Sequence, residues 1–385
     1  MDRALAGAER GDARLCYRQD WRIFGNRAIA AATTNDHPLA ADLDAIIDRA
    51  ESLFLRLAGE RLFVTGGTGF FGRWLLEALT RANDRLHLHL HITVLSRSPE
   101  AFSARAPALA RHPALSWWRG DVRDFAWPPG SFPLVIHAAT AASERLNRAH
   151  PREMFDIIVA GTRRILEFAD DAGTHALLLT SSGAVYGRQP PDLAHVAENY
   201  CGAPDQLSTD SAYGEGKRAA EFLAATSGLP VKIARGFSFV GPFLPLDAHF
   251  AAGNFIRDAL AGGPIVVRGD GTTLRSYLYA GDLVVWLLKI LLDAAKLRPY
   301  NVGSDQAIDI ATVAFEVADT AGGLSVEILH QPDGTPPARY VPDISRARAE
   351  LGLDVWTDRA GALHRSLNFS RRSEPAVRNR GSMRE

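Results

Sequence analysis

A phenol and an amine stand four residues apart in a stretch with a helical pattern. Tyr213 and Lys217 would therefore share one face of a helix, one turn apart. A nearby ammonium stabilises a phenolate and brings the phenol pKa of about 10 toward working pH. Such a phenol accepts the proton of a substrate alcohol while hydride leaves the same carbon. Ser182, at the end of an apolar run, adds a hydroxyl that can hold the alcohol oxygen, so the three residues predict alcohol oxidation.

A glycine cluster predicts where the hydride acceptor binds. Gly66, Gly67, Gly69 and Gly72 follow an apolar run at 61–65 and precede a helical stretch, and they fit both G-x-x-G-x-x-G and G-x-G-x-x-G. Glycines permit a tight turn and the close approach of a diphosphate, and the helix N-terminus supplies N–H donors. The cluster therefore predicts a dinucleotide site, the alternative being a glycine-rich turn without a ligand.

The end of the predicted second strand bears on the choice of dinucleotide. NAD sites usually place an acidic residue there to accept from the ribose 2′-hydroxyl. This strand instead ends in Ser96, Arg97 and Ser98, which suit a 2′-phosphate and favour NADP over NAD. If Arg97 only stacks on adenine, the preference stays open. Asp121, after the third strand, is predicted to accept from the adenine amino group.

Three histidines alternate along the predicted second strand, which spans 86–95. His87, His89 and His91 would point to one face of that strand. Neighbours along a single strand seldom converge on one ion, so a half-exposed polar face is favoured over a metal site. We predict no metal.

The predicted elements alternate between strands and helices. Strands are predicted at 61–65, 86–95, 134–137, 176–180, 231–235 and 265–268, and helices at 42–57, 71–82, 151–172, 212–225, 254–261, 283–294, 309–320 and 357–369. This alternation implies right-handed crossovers and a parallel sheet covered on both faces. The predicted fold class is α/β, with a doubly wound parallel sheet of the Rossmann type.

Four parts are expected along the chain. Residues 1–60 form an N-terminal extension with one helix, and residues 61–240 form the NAD(P)-binding domain, to which residues 276–305 return. Residues 241–370 form mainly a smaller, substrate-binding C-terminal lobe, and residues 371–385 form a flexible tail.

Composition excludes several classes of protein. The 43 Lys and Arg residues balance 44 Asp and Glu residues, so no broad field attracts nucleic acid or an anionic membrane. Two cysteines make no disulfide framework, and no Cys/His spacing suggests zinc. The start of the chain lacks a signal peptide, and the apolar run at 283–292 is shorter than the ~20 residues of a bilayer span. A cytoplasmic protein without nucleic-acid or membrane partners is expected.

Together the motifs resemble the NAD-dependent epimerase/dehydratase family of extended short-chain dehydrogenases/reductases, over about residues 61–352. The resemblance is carried by the glycine cluster, Asp121, Val135-Ile136-His137-Ala138-Ala139, Ser182 with Val185-Tyr186-Gly187, Tyr213 with Lys217, Gly241-Pro242, Arg275-Ser276-Tyr277-Leu278-Tyr279, Tyr300-Asn301-Val302-Gly303 and Tyr340-Val341-Pro342-Asp343. Members of this family mostly act on nucleotide-linked sugars. The chain looks most like UDP-glucuronate decarboxylases and sugar-nucleotide epimerases.

The resemblance implies a role for individual residues. Ser182 matches the catalytic serine or threonine, Tyr213 the base, and Lys217 its activator and ribose contact. Arg275 matches the arginine that grips the sugar diphosphate, as a guanidinium fork suits phosphate oxygens; a surface ion pair is the alternative. The implied cofactor-binding residues are Gly66, Thr68, Gly69, Phe70, Phe71, Gly72, Ser96, Arg97, Asp121, Val122, Ala138, Ala139, Thr180, Tyr213 and Lys217. The implied substrate-binding residues are Ser182, Ser238, Asn254 and Arg275.

The chain also departs from the family pattern. Dehydratases carry Asp-Glu after the catalytic threonine and decarboxylases carry a glutamate nearby, whereas this chain has Gly183 and Ala184. Loss of water or carbon dioxide then lacks its usual proton handler, unless Glu198 or Asp210 substitutes. Two further positions that often hold asparagine are filled here by Ser238 and Ile158.

The predicted activity is transient oxidation of a sugar hydroxyl and return of the hydride, with epimerisation favoured because it needs no additional acid. An NADPH-dependent reductase of a keto-sugar or another carbonyl compound is the alternative, which Ser96 and Arg97 support. A non-catalytic NADP-sensing scaffold is disfavoured, because Tyr213 and Lys217 are both kept. The helices at 151–172 and 212–225 resemble the pair that forms the family's dimer interface, so a homodimer is expected unless their apolar positions face the sheet.

Overall fold

The computed structural model describes residues 37–140, 144–248 and 250–373. The predictions made for residues 1–36 and 374–385 lie outside the described residues. Contacts divide the chain into residues 1–40 and residues 41–385, and the elements that build the site belong to the second unit. Among the described helices, none has the length and hydropathy needed to cross a bilayer.

The strands are β1 Arg61–Thr65, β2 His91–Ser96, β3 Leu115–Arg119, β4 Leu134–His137, β5 Ala176–Ser182, β6 Val231–Gly236, β7 Phe239–Val240, β8 Ile265–Val267, β9 Leu274–Arg275, β10 Leu278–Tyr279, β11 Pro299–Val302, β12 Ile308–Asp309, β13 Val326–Ile328 and β14 Arg339–Tyr340. The α-helices are α1 Ala40–Leu55, α2 Phe70–Leu86, α3 Pro99–Arg105, α4 Pro107–Ala110, α5 Glu144–Ala149, α6 Pro151–Asp171, α7 Ala212–Thr226, α8 Ala251–Leu260, α9 Ala280–Asp293, α10 Ile310–Thr320, α11 Ser345–Leu351 and α12 Arg359–Ser373.

A parallel sheet of seven strands, counted over the described residues, forms the centre of the fold. Its order is β3-β2-β1-β4-β5-β6-β11. Every residue of β4 and β5 is buried, as expected for central parallel strands covered on both faces. The strand order reverses between β1 and β4, and ligands of such sheets bind in the crevice beyond the carboxyl ends at this point. The predicted doubly wound α/β fold is confirmed.

Helices cover this sheet with an apolar core. Helices α6 and α7 pack on each other and reach strands β4, β5 and β6, while α2 packs against α9, which contacts β5, β6 and β11. Phe63 on β1 is fully buried among aromatic rings, with its ring centroid 4.6 Å from that of Phe168 and 5.5 Å from that of Phe132. The apolar residues that made the strands and helices predictable therefore form the core that fixes the strand ends.

The region expected to form a C-terminal lobe contains short strands and three packed helices, and contacts group it in one unit with the main sheet. Strand β9 pairs antiparallel with β12 and parallel with β14, while β7 pairs with β10 and β8 with β13. Helices α8, α10 and α12 contact one another. Between these parts, the chain returns to the main sheet through α9 and β11.

The prediction of a strand at 86–95 is wrong in its first half. Helix α2 continues to Leu86, and β2 begins only at His91. His87 and His89 adopt the left-handed conformation, with φ of 52° and 54°, while Leu88 and Leu90, each of which directly follows one of them, are buried. The Asn83 side chain accepts a hydrogen bond from the Leu90 N–H at 2.8 Å. A turn with buried leucines therefore mimics strand alternation, and the three histidines do not share a strand.

The C-terminal end of the last helix also differs from the prediction. Helix α12 extends to Ser373, so the first residues of the expected tail are helical.

In the described ranges, no group of three His, Cys, Asp or Glu side chains is placed to hold a metal ion.

Candidate active site

The glycine loop lies between β1 and α2 and packs against the end of β4. Gly66 has φ of +74°, and an added Cβ would lie 2.4 Å from the carbonyl carbon of Ala138. A Cβ on Gly72 would lie 2.2 Å from the Gly66 oxygen, and one on Gly67 would meet the Val94 side chain at 2.6 Å. These contacts require glycine for packing within the protein.

Gly69 differs from the other glycines because it faces open space. It is exposed, and an added Cβ would meet only the Gly66 oxygen, at 3.4 Å. Gly69 is also the N-cap of α2, where its lack of a side chain leaves the helix N-terminus without a side-chain cap. A diphosphate fits this open cradle, since its charge favours the positive end of the helix dipole.

A buried histidine holds the opposite wall of the loop. Nδ1 of His137, the last residue of β4, lies 2.8 Å from the Thr65 hydroxyl, which also accepts from the Ala139 N–H at 3.1 Å. Its Nε2 lies 3.3 Å from the Thr162 hydroxyl. Burial, and then the positive charge of Lys217, lower the pKa of His137 to about 3, so the ring is neutral. His137 therefore positions the peptides at Ala138 and Ala139 that contact Gly66.

The start of α7 is tied to the helix that precedes α6. Tyr213 is at the second position of α7, after a 3-10 turn over Thr209–Ser211. The side-chain oxygen of Asn147 accepts from the Tyr213 N–H at 3.0 Å, and its Nδ2 donates to the Asp210 carbonyl at 2.8 Å. Asn147 therefore fixes the position of the Tyr213 backbone, from which the phenol extends toward β5.

Lys217, one turn after Tyr213, is buried beneath it. Its ammonium donates to the Thr180 carbonyl and to the Thr140 hydroxyl, each at 2.7 Å, and lies 5.8 Å from the centroid of the Tyr213 ring. Burial lowers the pKa of Lys217 to about 7, and Glu221 on the next turn opposes that shift. The lysine is therefore held in place by backbone and hydroxyl oxygens with no salt-bridge partner in the described residues.

Ser182 and Tyr213 meet at the end of β5. Ser182 is only 6% exposed and accepts from the Ala184 N–H at 3.1 Å, in the 3-10 turn Gly183–Tyr186. Burial raises the pKa of Tyr213, and its hydrogen bond with Ser182 acts in the opposite direction. The structure thus brings the phenol, the ammonium and the serine hydroxyl together beside the switch point of the sheet. This arrangement can remove a proton from an alcohol and hold the oxygen that results.

The remaining predicted cofactor residues surround the same crevice. Ser96 is buried and accepts from the Ser98 N–H at 3.3 Å, while Arg97 is exposed at the end of β2. Asp121 accepts from the side chain of Arg123 at 2.8 Å, and this contact lowers the pKa of Asp121, with a smaller contribution from Arg97. Asp121 is therefore already paired, although it stands where the adenine contact was predicted.

Other members of the predicted cofactor set mainly pack within the protein. The Thr180 hydroxyl donates to the His137 carbonyl at 3.1 Å, so its side chain links β5 to β4. The Phe71 ring stands edge-on to the Phe239 ring at 4.8 Å, and Phe70 follows Gly69 at the start of α2. Half-buried side chains among the rest are Thr68, Val122, Ala138 and Ala139.

Among the residues predicted to bind substrate, Arg275 is the one whose surroundings best suit a ligand. It is half-buried on β9, donates to the Leu274 carbonyl at 3.0 Å, and forms no salt bridge with any described carboxylate. Burial lowers the pKa of Arg275, which therefore favours an anionic ligand. Ser238 is half-buried beside β6, and Asn254 on α8 accepts from Arg257 at 3.2 Å. No hydrogen bond links Asn254 to the catalytic residues among the described contacts.

The two alternative acids have other contacts. Glu198 is buried, accepts from the Asn301 N–H at 2.9 Å and lies 3.6 Å from the Arg346 guanidinium. Burial raises the pKa of Glu198. Asp210 is exposed and contributes its backbone carbonyl to Asn147. Neither carboxylate contacts Gly183 in the described structure, so the position after Ser182 keeps no carboxylic acid.

Two hydroxyls that lie in the site were assigned no role by the sequence motifs. Thr140 binds the Lys217 ammonium, and Tyr340 on β14 places its phenol oxygen 3.4 Å from the Ser182 hydroxyl. Thr140 directly follows Ala138 and Ala139, and Tyr340 belongs to a quoted motif. Their positions in or beside those motifs were the only indication in the sequence that they belong to the site. Their contacts could not be predicted, because they join residues that are distant in the chain.

Comparison with known proteins finds a sequence relative and solved structures of similar fold. UDP-glucuronic acid decarboxylase 6 of Arabidopsis thaliana is 31% identical over 338 residues, covering 86% of this chain and 93% of that protein. The structure of UDP-glucose 4-epimerase from Thermotoga maritima has a TM-score of 0.67 at 18% identity, covering 82% of this chain and 99% of that one. The structure of dTDP-glucose 4,6-dehydratase from Streptomyces venezuelae has a TM-score of 0.69 at 24% identity, covering 82% of this chain and 98% of that one.

A family model that matches most of the site residues shows the family of this chain. The family model described as "NAD dependent epimerase/dehydratase family" matches residues 62–303, from β1 to the end of β11. That range includes the glycine loop, Ser182, Tyr213, Lys217 and Arg275. With the decarboxylase relative, the match shows an NAD-dependent enzyme of the extended short-chain dehydrogenase type. The chain belongs to the NAD-dependent epimerase/dehydratase family.

Proposed function

We propose that this enzyme transiently oxidises a hydroxyl of a nucleotide-linked sugar and then returns the hydride. The observation that carries the proposal is the convergence of Tyr213, Lys217 and Ser182 at the switch point of the sheet, next to the open cradle at Gly69. A bound nicotinamide dinucleotide supplies a hydride acceptor and donor there.

Each catalytic side chain has a separate task. Tyr213 accepts the proton of the sugar hydroxyl and later gives it back, because oxidation of an alcohol releases one proton with the hydride. The ammonium of Lys217 favours the phenolate form of Tyr213 by its positive charge. Ser182 donates to the reacting oxygen and orients it toward the phenol.

The substrate class rests on charge and on the relatives. Arg275 has a half-buried guanidinium with no described salt bridge, and a diphosphate satisfies its donors. The Arabidopsis relative is named as a UDP-glucuronic acid decarboxylase, and the Thermotoga epimerase structure contains UDP-glucose. We therefore propose a UDP-sugar, held by its diphosphate at Arg275.

Epimerisation is the favoured net reaction. Gly183 and Ala184 provide no carboxylic acid after Ser182, and returning hydride to the other face of the sugar carbon needs none. Decarboxylation is the second candidate, favoured by the name of the Arabidopsis relative. Oxidation of a uronate at C4 creates a β-keto acid; its C5–C6 bond then breaks to release carbon dioxide, and the electron pair left behind takes up a proton at C5.

A product assay separates these functions. The purified enzyme is incubated with NAD or NADP and with UDP-glucose or UDP-glucuronate, and sugars, carbon dioxide and nicotinamide absorbance are followed. Formation of the C4 epimer without net reduction indicates an epimerase, and carbon dioxide release indicates a decarboxylase. Stoichiometric NADPH consumption with a UDP-4-keto-sugar indicates the alternative reductase. Full activity of Tyr213→Phe, or no hydride transfer with any of these sugars, contradicts the proposed chemistry.

The preference for NADP is a separate proposal that rests on Arg97. This arginine is exposed at the end of β2, and the residues that end the strand, Ser96, Arg97 and Ser98, include no carboxylate to accept from a ribose 2′-hydroxyl. Arg97→Ala is expected to weaken NADP binding about tenfold and to change NAD binding little, as expected for loss of one charged phosphate contact. Isothermal titration with both cofactors measures this; an equal effect on both contradicts the preference.

A further inference from the structure

A second phenol from the C-terminal lobe reaches the catalytic serine. Tyr340 lies on β14, directly opposite Arg275 on β9 in the register of these paired strands. Its hydroxyl is 3.4 Å from Oγ of Ser182 and 3.5 Å from the Gly236 carbonyl oxygen. Both distances exceed the roughly 2.8 Å usual for O–H···O bonds, and catalytic hydrogen bonds often shorten once substrate is bound.

The surrounding residues are shaped to admit this phenol. An added Cβ on Gly183 would lie 2.7 Å from both the Tyr340 oxygen and the Phe237 ring. The Phe237 ring packs on the Tyr340 ring with centroids 4.6 Å apart, and the Arg275 guanidinium lies 5.8 Å from the Tyr340 centroid. Tyr340 and Phe237 therefore occupy the space that a side chain at position 183 would need.

The hydrogen-bonding capacity of the Ser182 hydroxyl indicates a function for the Tyr340 phenol. A serine hydroxyl has one proton to donate and two lone pairs that accept. At Ser182, the Ala184 N–H fills one acceptor position at 3.1 Å, and the Tyr340 hydroxyl lies 3.4 Å away, slightly nearer to Ser182 than to the Gly236 carbonyl oxygen, the other acceptor within its reach, at 3.5 Å. Burial raises the pKa of Tyr340, so this phenol stays protonated and able to donate. The single proton of Ser182 is then left for Tyr213 or for the reacting oxygen.

We propose that Tyr340 is a positioning residue, which donates to Ser182 and thereby leaves the single Ser182 proton for the phenolate of Tyr213 or for the substrate oxygen. The inference rests on the proposed function, because Ser182 is assigned there to the reacting oxygen. A donor that receives a hydrogen bond is itself strengthened, so loss of Tyr340 weakens the support that Ser182 gives to ionised Tyr213.

A double-mutant cycle tests this coupling. Tyr340→Phe keeps the ring on Phe237 and removes only the oxygen. In the otherwise native enzyme it is expected to lower kcat about tenfold, the size of one lost neutral hydrogen bond, with KM nearly unchanged. The lower apparent pKa of the kcat–pH profile should rise, since the phenolate is less stabilised. In a Ser182→Ala background the same change should alter kcat less than about twofold.

Two further variants keep the result interpretable. Tyr300→Phe removes another phenol oxygen, one that donates to Glu350, and should leave kcat unchanged. In Gly183→Ala, the added methyl group displaces the Tyr340 hydroxyl from Ser182. This variant should lower kcat by about as much as Tyr340→Phe does. Assays use UDP-glucose and UDP-glucuronate with the full-length chain, and thermal unfolding of each variant checks that it is folded.

The outcomes separate the two proposals. Native enzyme that converts neither sugar overturns the proposed UDP-sugar activity and the role of Tyr340 with it. Active native enzyme with an equally active Tyr340→Phe variant overturns only the role of Tyr340. Equal losses from Tyr340→Phe in the presence and absence of the Ser182 hydroxyl also overturn it, because Tyr340 would then act independently of Ser182.

Discussion

The ammonium of Lys217 is the charged group most affected by its surroundings in the site. It is 4% exposed and is satisfied by two neutral oxygens, from Thr140 and Thr180. Two oxygens compensate only part of the lost hydration, so burial lowers the pKa to about 7 from an ordinary value of 10.5. The positive charge that supports Tyr213 is therefore sensitive to pH near neutrality.

This burial predicts a pH-dependent stability. Between pH 7 and pH 10.5 the unfolded chain keeps a proton on Lys217 that the folded protein lacks. The free energy of unfolding therefore rises with pH in this window, by at most about 1.4 kcal/mol per pH unit. Lys217→Met removes the titrating group and with it this part of the slope. Urea denaturation of both proteins at several pH values above 7 measures the difference; parallel curves contradict the prediction.

At the scale of elements, α7 carries three functional residues at intervals of four. Tyr213, Lys217 and Glu221 share one helical face toward β5 and β6. Glu221 accepts from Ser181 at 2.5 Å and from the Arg235 guanidinium at 2.6 and 3.0 Å. Both members of the Arg235–Glu221 ion pair are largely buried. This pair holds the helix against β6, and the hydrogen bond from Ser181 ties it to β5, the strand that ends in Ser182.

Removing that carboxylate should loosen α7. Glu221→Gln leaves the Arg235 charge largely buried and uncompensated, with an expected loss of about 3 kcal/mol in the free energy of unfolding. It should also lower the Lys217 pKa further, because Glu221 is the charge that raises it. Activity at neutral pH is then expected to fall. Denaturant unfolding and a pH–rate profile measure both effects.

A matched control lies on the same helix. Glu215 is 3.8 Å from Arg218 in a more exposed pair. Glu215→Gln should change stability by less than about 0.5 kcal/mol, as is usual for surface ion pairs. Equal destabilisation by both variants contradicts a specific role for the Arg235–Glu221 pair.

At the scale of the whole molecule, β9 and β14 bring the C-terminal lobe to the end of the main sheet. Arg275 and Tyr340 are paired across these strands, and Tyr340 reaches Ser182 on β5. A ligand that touches both Ser182 and Arg275 would therefore contact both parts of the molecule. We expect its binding to stabilise them together.

UDP binding tests the contribution of Arg275. Saturating UDP should raise the Tm of the native enzyme, because a ligand that binds only the folded state stabilises it. Arg275→Met keeps much of the apolar stem but removes the guanidinium, and should weaken UDP binding at least about tenfold. NAD binding should be unchanged. An undiminished UDP shift in Arg275→Met contradicts the phosphate contact.

The expected homodimer also belongs to this scale. Phe222 on α7 is 68% exposed, and α7 packs on α6, the other helix of the predicted interface. Phe222→Glu places a charge in that interface and should convert dimer to monomer in light scattering. Phe315→Glu on α10, where the ring is 51% exposed, is the matched control and should leave the mass unchanged. A native enzyme that is already monomeric at high concentration contradicts the dimer.

Short tertiary strands were beyond sequence prediction. Strands such as β9 and β14 have two residues each, too few to show any periodicity. The alternation at 86–95 placed the start of β2 too early, because a turn in the left-handed region also buries alternate leucines. Local pattern therefore identifies long elements and fails where pairing partners or backbone conformation decide.

The amino-acid sequence was sufficient to predict the α/β fold class, the glycine loop and the Tyr213–Lys217 pair. Apolar periodicity, glycine and a four-residue helical spacing are all local properties of the chain. The tertiary structure alone decided that Thr140 would bind Lys217, 77 positions away, and that Tyr340 would reach Ser182 across 158 positions. Such contacts arise when separate elements pack on a shared core, and their geometry depends on the whole sheet rather than on any neighbouring residue.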